Sequence, residues 1–247
     1  MSGSVLVAHS GAAKMTFDDL KLLPVPEPTR THQPIPHHRI VEALIETLGF
    51  RHISVVRQEY AATPDGAKMF AVLDLDYEFS GCRFSIGVRN ANDKSMRLAM
   101  TVGYRVFVCD NMAFQGDFTP VLAKHSKSFD LIDAISIGVD KAQRNFEPLQ
   151  KTVSDWKANQ LSGSQAKLII YEAFVEGKLQ VTPRLLKSVH HHYFEPEYDE
   201  FKATTLWSLS NAFTSSFKQL KPFEQYKAAA KLSPFLQRYS QPFQEGL

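Results

Sequence analysis

The chain has 247 residues, 44% apolar and 11% aromatic, which is enough to bury a substantial core, as one large domain or as a core with a helical appendage, and excludes a disordered or fibrous protein. Twenty-eight Lys and Arg face 26 Asp and Glu, a formal charge of +2, so any attraction for nucleic acid must come from local clustering and not from a global field. Two cysteines, Cys82 and Cys109, are too few for a secreted disulfide framework and lack zinc spacing, which favours a reducing compartment.

The opening MSGSVLVAHSGAAKM has no basic segment before its short apolar run, and no stretch reaches the roughly 18 apolar residues of a spanning helix, so a soluble cytoplasmic protein is expected. Residues 1–36 end in LLPVPEPTRTHQPIP, whose prolines hold the chain extended, and read as an arm or linker. From His37, the recurrence of Ile40, Leu44 and Leu48 with Val41 and Ile45 predicts an amphipathic helix that stops at Gly49.

The period then changes to two. Strands are predicted at 53–61 and 69–79, around a turn at Pro64, Asp65 and Gly66. A third begins at Cys82, and the fourth, 96–109, closes on Cys109 before Asp110 and Asn111. From Phe129 the period is helical: one helix over 130–160 that Pro148 kinks or splits, another from Ser162 or Ser164 to Gly177, a third capped by Thr182 and Pro183, and a fourth over 204–220. In that fourth helix Leu206, Leu209, Phe213 and Phe217 share a stripe. Residues 221–247 read as a polar-aromatic tail that docks loosely or frays. The expected fold is α+β: an antiparallel sheet of about four strands (53–109) with an N-terminal helix and C-terminal helices (129–220), inside a domain spanning 37–220.

The block GVRNANDKSMRLAMTVGYRVFVCDNMAF, with TTLWSLSNAFTSSFK and the upstream PHHRIVEALIETLGF, resembles the phage/plasmid-like proteins, a family without a settled activity. The matching positions are Arg89, Asn90, Asp93, Ser95, Arg97, Gly103, Arg105, Val108, Cys109 and Asn111, then Thr205, Leu206, Trp207, Asn211, Ala212 and Thr214, within residues 35–218. Two positions depart from the family pattern: Ala91, where it carries a serine, and Ser210, where it carries an aromatic. The resemblance implies a mobile-element protein in the cytoplasm of a bacterial host. The element order is also that of the single-strand annealing recombinases of phages, an analogy of fold order only.

Four arginines carry the main functional expectation. Arg83 and Arg89 on one strand, with Arg97 and Arg105 on its partner, fall on the face that also holds Ser85, Gly87, Ala99, Thr101 and Gly103, so small residues would let a phosphate backbone approach. Lys94 adds a charge at the hairpin tip. The competing reading places one of the protein's own elements on that face, with the arginines paired to carboxylates. The row Asp74, Asp76 and Glu78 either holds a divalent ion or supplies those pairs.

Two further constellations suggest an enzyme or a host-defence antagonist. Cys109 as a nucleophile needs a base, and His125 is the nearest downstream histidine; a buried strand-end cysteine is the alternative. In SVHHHYFEPEYDE (His190 to Asp199), His191 or His192 with Glu195 has the helical spacing of a metal pair, although Pro196 limits the helix and consecutive histidines fan apart. No phosphate-binding glycine loop, dinucleotide fingerprint, serine-nucleophile elbow or paired-histidine zinc motif is present, and no cofactor is expected. The sequence reading is therefore a non-enzymatic, homo-oligomeric nucleic-acid-binding protein favouring single-stranded DNA. A protein-interaction module using the Pro24 to Pro36 arm is a further alternative.

Overall fold

The alternating run between residues 55 and 106 becomes the centre of the molecule. The structure, a computed structural model, describes residues 13–109, 111–114, 119–175, 179, 182–220 and 222–240. Among these residues seven strands form one antiparallel sheet: β1 (Ala13–Met15), β2 (Val55–Ala62), β3 (Lys68–Phe79), β4 (Cys82–Ala91), β5 (Leu98–Val106), β6 (Met112–Phe114) and β7 (Val121–Ala123). They lie in the order β1-β2-β3-β4-β5-β6, with β7 also pairing β5, so β6 and β7 share its outer edge, one at each end. The antiparallel α+β class is as expected. The strand number is seven instead of about four because β1, β6 and β7 have three residues each, too few to display a period.

The helices are α1 (Phe17–Leu22), α2 (His37–Phe50), α3 (Leu131–Arg144), α4 (Phe146–Ala158), α5 (Gly163–Val175), α6 (Pro183–Phe194), α7 (Leu206–Phe217) and α8 (Pro222–Gln237). One sheet face, carrying Leu73, Phe84, Ile86, Val102 and Tyr104, is buried against them. The rings of Phe84 on β4 and Phe146 on α4 stack at 4.3 Å, and Tyr104 on β5 meets Trp207 on α7 at 5.6 Å. The stripe Leu206, Leu209, Phe213 and Phe217 is entirely buried, as its spacing requires.

Three boundaries differ from expectation. The 130–160 helix breaks at Asn145, three residues before Pro148, which sits in the first turn of α4 where a missing donor is harmless. Residues 13–36 are not a separate arm: β1 pairs β2, α1 packs on α2 with Leu20 buried, and His32 and Pro34 are buried too. The tail also docks, since α8 buries Ala228, Ala229, Leu232, Phe235 and Leu236 against α7 and β6, and Tyr239 accepts a bond from Asn159. Apolar spacing, not polarity of composition, decides that outcome. Gly177, the expected stop of α5, lies outside the described residues. No helix among the described residues is long and apolar enough to cross a membrane.

Candidate nucleic-acid interface

The arginine-bearing face of the sheet is largely closed. Register places Arg83 opposite Arg105, Ser85 opposite Gly103, Gly87 opposite Thr101 and Arg89 opposite Ala99. Two strands further across, the same face carries Asp74 on β3 and Arg57 and Glu59 on β2. Arg105 is buried and forms ion pairs with Asp74 (Nε to Oδ2, 2.7 Å) and Glu59 (Nη2 to Oε2, 3.0 Å). Arg57 reaches the other Glu59 oxygen at 2.8 Å, and the Ser85 hydroxyl donates to Asp74 at 2.6 Å. Two guanidinium groups thus balance two carboxylates in a low-dielectric setting where neither sign is stable alone.

The small residues on this face admit the protein itself. Phe114 of β6 pairs with Gly103, and a Cβ at Gly103 would lie 2.0 Å from the Ala113 carbonyl oxygen and 2.6 Å from the Phe114 ring; one at Gly87 would lie 3.0 Å from the same ring. The glycines are the floor on which an aromatic ring rests. The expectation of four outward guanidinium groups is therefore corrected for Arg105, sealed by internal ion pairs. Arg83 is ion-paired to Glu78 and lies over the Phe107 ring at 5.2 Å, while Arg89 is half-buried. The acidic row divides in the same way: Asp74 and Glu78 serve these pairs, and a register shift between them breaks the alternation.

Arg97 and Lys94 are different. At the β4–β5 hairpin tip the Asp93 carboxylate accepts the Ser95 backbone N–H at 2.9 Å, Lys94 adopts a left-handed backbone (φ 66°), and both Lys94 and Arg97 are exposed. Two other stretches meet them. Pairing of β7 with Leu98–Met100 delivers Lys124 and His125. The segment before α2 is fastened by His32 Nε2 on the Asn92 carbonyl (3.0 Å), the Ile35 N–H on the Asn92 side chain (3.1 Å) and the Gln33 N–H on the His125 carbonyl (3.0 Å). Between them lies a pocket of about 450 Å³ walled by Thr31, His32, Lys94, Ser95, Met96, Arg97, Lys124, His125 and neighbouring small residues. Three cations and no carboxylate line it.

Two histidines behind the pocket, His37 and His125, are held neutral. The His32 and His125 rings stack at 5.3 Å with planes 11° apart. His125 is 5% exposed, and neither ring nitrogen has a hydrogen-bond partner. Burial, with His32 and His37 nearby, brings its pKa down to about 4. His37 is likewise lowered to about 4 by burial; its Nε2 donates to the Gly66 carbonyl (2.9 Å) and its Nδ1 accepts from Asn90 (3.0 Å), which assigns the proton to Nε2. Asn90 and Asp93 thus build the hairpin end and the start of α2. Lys124, His125 and His32 were not found by sequence reasoning, because no local pattern links three segments that only tertiary pairing joins.

Asn111 and Asn211 meet beyond the opposite end of β5. The strand ends at Val106, three residues before the expected position, and Phe107–Cys109 form a turn. The Asn111 amide donates to the Asn211 carbonyl (3.3 Å), the Asn211 side-chain oxygen (3.1 Å) and Ser215 (3.0 Å); Asn211 in turn donates to the Trp207 carbonyl (3.0 Å). Lys218 bonds the Cys109 carbonyl at 2.6 Å. This constellation bolts the turn to α7. Ser210 hydrogen-bonds the buried Tyr104 phenol. Asp110 lies outside the described residues.

Cys109 is buried in that turn, whereas His125 lies beyond the other end of β5, roughly 25 Å away at about 3.3 Å per residue, so the two do not form a catalytic pair. Burial pushes the Cys82 thiol up to about 12. His191 contacts Glu195 at 3.6 Å, one turn apart on the exposed end of α6, and His192 is half-buried. Among the described residues, no three His, Cys, Asp or Glu side chains converge as metal ligands. No family model, no curated protein and no solved structure matches the chain.

Proposed function

We propose that the protein binds nucleic acid, single-stranded DNA foremost, through phosphate contacts from Lys94, Arg97 and Lys124, with no chemistry performed on it. The observation that carries this reading is a concave pocket with three cations and no carboxylate, placed at an exposed hairpin tip. A recess of about 450 Å³ accepts a flexible strand that can bend a phosphate into it more readily than a rigid duplex. Arg105 and Arg83 take no part, since their charges are already matched within the protein. Kinship with phage/plasmid-like proteins belongs to the same proposal.

The test is fluorescence anisotropy of a labelled single-stranded oligonucleotide of about 20 nucleotides over a salt series. Three phosphates neutralised on a single strand give a slope of about −2 in log affinity against log salt, or roughly 20-fold weaker binding for a fourfold rise in salt. Lys94→Ala/Arg97→Ala/Lys124→Ala should abolish most of that slope. No binding at low salt, or an unchanged slope in the triple variant, would remove the proposal. Homo-oligomerisation is part of the reading, supported by the exposed Leu168, Tyr171 and Val175 on α5, and is tested by molecular mass in solution with and without the oligonucleotide.

A further inference from the structure

The pocket combines two kinds of surface that a bare phosphate does not need together. Lys94, Arg97 and Lys124 supply charge, while His125 and His32 supply a buried aromatic wall backed by Met96 and Ala91. His125 is a polar side chain that lines the pocket with both nitrogens desolvated and unpaired, an arrangement that native proteins seldom keep without a ligand or water. A neutral imidazole presents one donor and one acceptor, which complements a group carrying both, such as a nucleobase edge, better than it complements an anion. The volume is at the lower end of the roughly 300–1,000 Å³ of small-molecule sites, the scale of a single monomer and not of a long groove.

We infer that this pocket takes one nucleotide unit, its phosphate held by Lys94, Arg97 and Lys124 and the polar edge of its base read by His125. The inference rests on the nucleic-acid reading and deepens it: His125 becomes the residue that sets preference for a base-bearing ligand, and the three cations supply affinity for any phosphate. A unit splayed out of a single strand and a free mononucleotide carry the same chemistry, and the experiment separates them.

The labelled oligonucleotide is displaced by a deoxynucleoside 5′-monophosphate, by ribose 5-phosphate or by inorganic phosphate, with wild type and His125→Ala compared. The mononucleotide should compete at least about tenfold more effectively than the other two, the gain of roughly one well-made polar contact. In His125→Ala that advantage should vanish while the salt dependence of oligonucleotide binding stays as in wild type. Should removal of the ring perturb folding, His125→Phe keeps the stack on His32 without ring nitrogens and should show the same loss. Equal competition by mononucleotide and ribose 5-phosphate, or an advantage that survives both variants, overturns the inference and leaves strand binding standing. Direct binding of the mononucleotide without any binding of the oligonucleotide keeps the pocket assignment and sinks the single-strand proposal. Binding of neither sinks both.

Discussion

Arg97 and Arg105 flank one strand and meet opposite fates. Arg105 lies inside the sheet, within reach of Glu59 and Asp74, on the face where Phe114 rests on Gly103 and Gly87. Arg97 stands just before the first residue of β5, where the sheet runs out and the nearby carboxylate, Asp93, is engaged by Ser95 and by Lys68 at 3.6 Å. The same residue type on the same face is a structural counter-ion at one end and an open cation at the other. What separates them is the cover and the carboxylates supplied by neighbouring strands, neither of which alternation along β5 can encode.

That contrast can be broken most forcefully at Arg105. Arg105→Ala leaves Glu59 and Asp74 buried with one cation fewer and should destabilise the protein by about 3–5 kcal/mol in urea unfolding, while oligonucleotide affinity of the folded fraction stays within twofold or so. A stability loss under 1 kcal/mol or so would mean that the network is solvated. Acidification acts on the pocket end. His37 and His125 are lowered to about 4 in the folded state from an ordinary 6.5, so the unfolded chain takes up protons first. Their contribution is complete above pH 6.5 and is lost as pH falls toward 4, at about 1.4 kcal/mol per pH unit for each histidine. Urea midpoints that stay flat between pH 6.5 and 4.5 would contradict it.

Smaller effects sharpen the picture. Gly103→Ala forces a methyl against the Ala113 carbonyl and the Phe114 ring and should lower stability by about 1–3 kcal/mol, read as a drop in melting temperature. Asn111→Ala should cost a similar amount, and the double variant with Asn211→Ala less than the sum, because both act through the bond between the turn and α7. Smallest of all, Arg97→Ala should change stability by no more than about 0.5 kcal/mol yet reduce the magnitude of the oligonucleotide salt slope by about 0.7, the value of one phosphate contact on a single strand.

Much of the fold was legible because long elements repeat their period. Leu206, Leu209, Phe213 and Phe217 announced α7, Thr182 and Pro183 announced the start of α6, and the alternation of β4 and β5 announced which residues share a face. Three-residue strands carry no such signal, so β1, β6 and β7 emerged only with the sheet. Half of the candidate site was legible for the same reason: Lys94 and Arg97 lie on a recognisable hairpin tip. Lys124, His125 and His32 reach it through β7 pairing and through backbone bonds to Asn92, contacts that span up to 60 residues and leave no local pattern. Asn90, Asp93, Asn111 and Asn211 stood out in the sequence, but their division into a pocket-building pair, Asn90 and Asp93, and a turn-bolting pair, Asn111 and Asn211, required the register of β5.

The most direct test of the hairpin-tip assignment is the imidazole Cε1–H resonances of the nine histidines, followed by NMR while a single-stranded oligonucleotide is added. The signals of His32 and His125 should move in proportion to occupancy, with His190, His191 and His192 on α6 unmoved. Saturable binding that leaves the His32 and His125 signals in place would contradict the assignment and put the binding surface elsewhere.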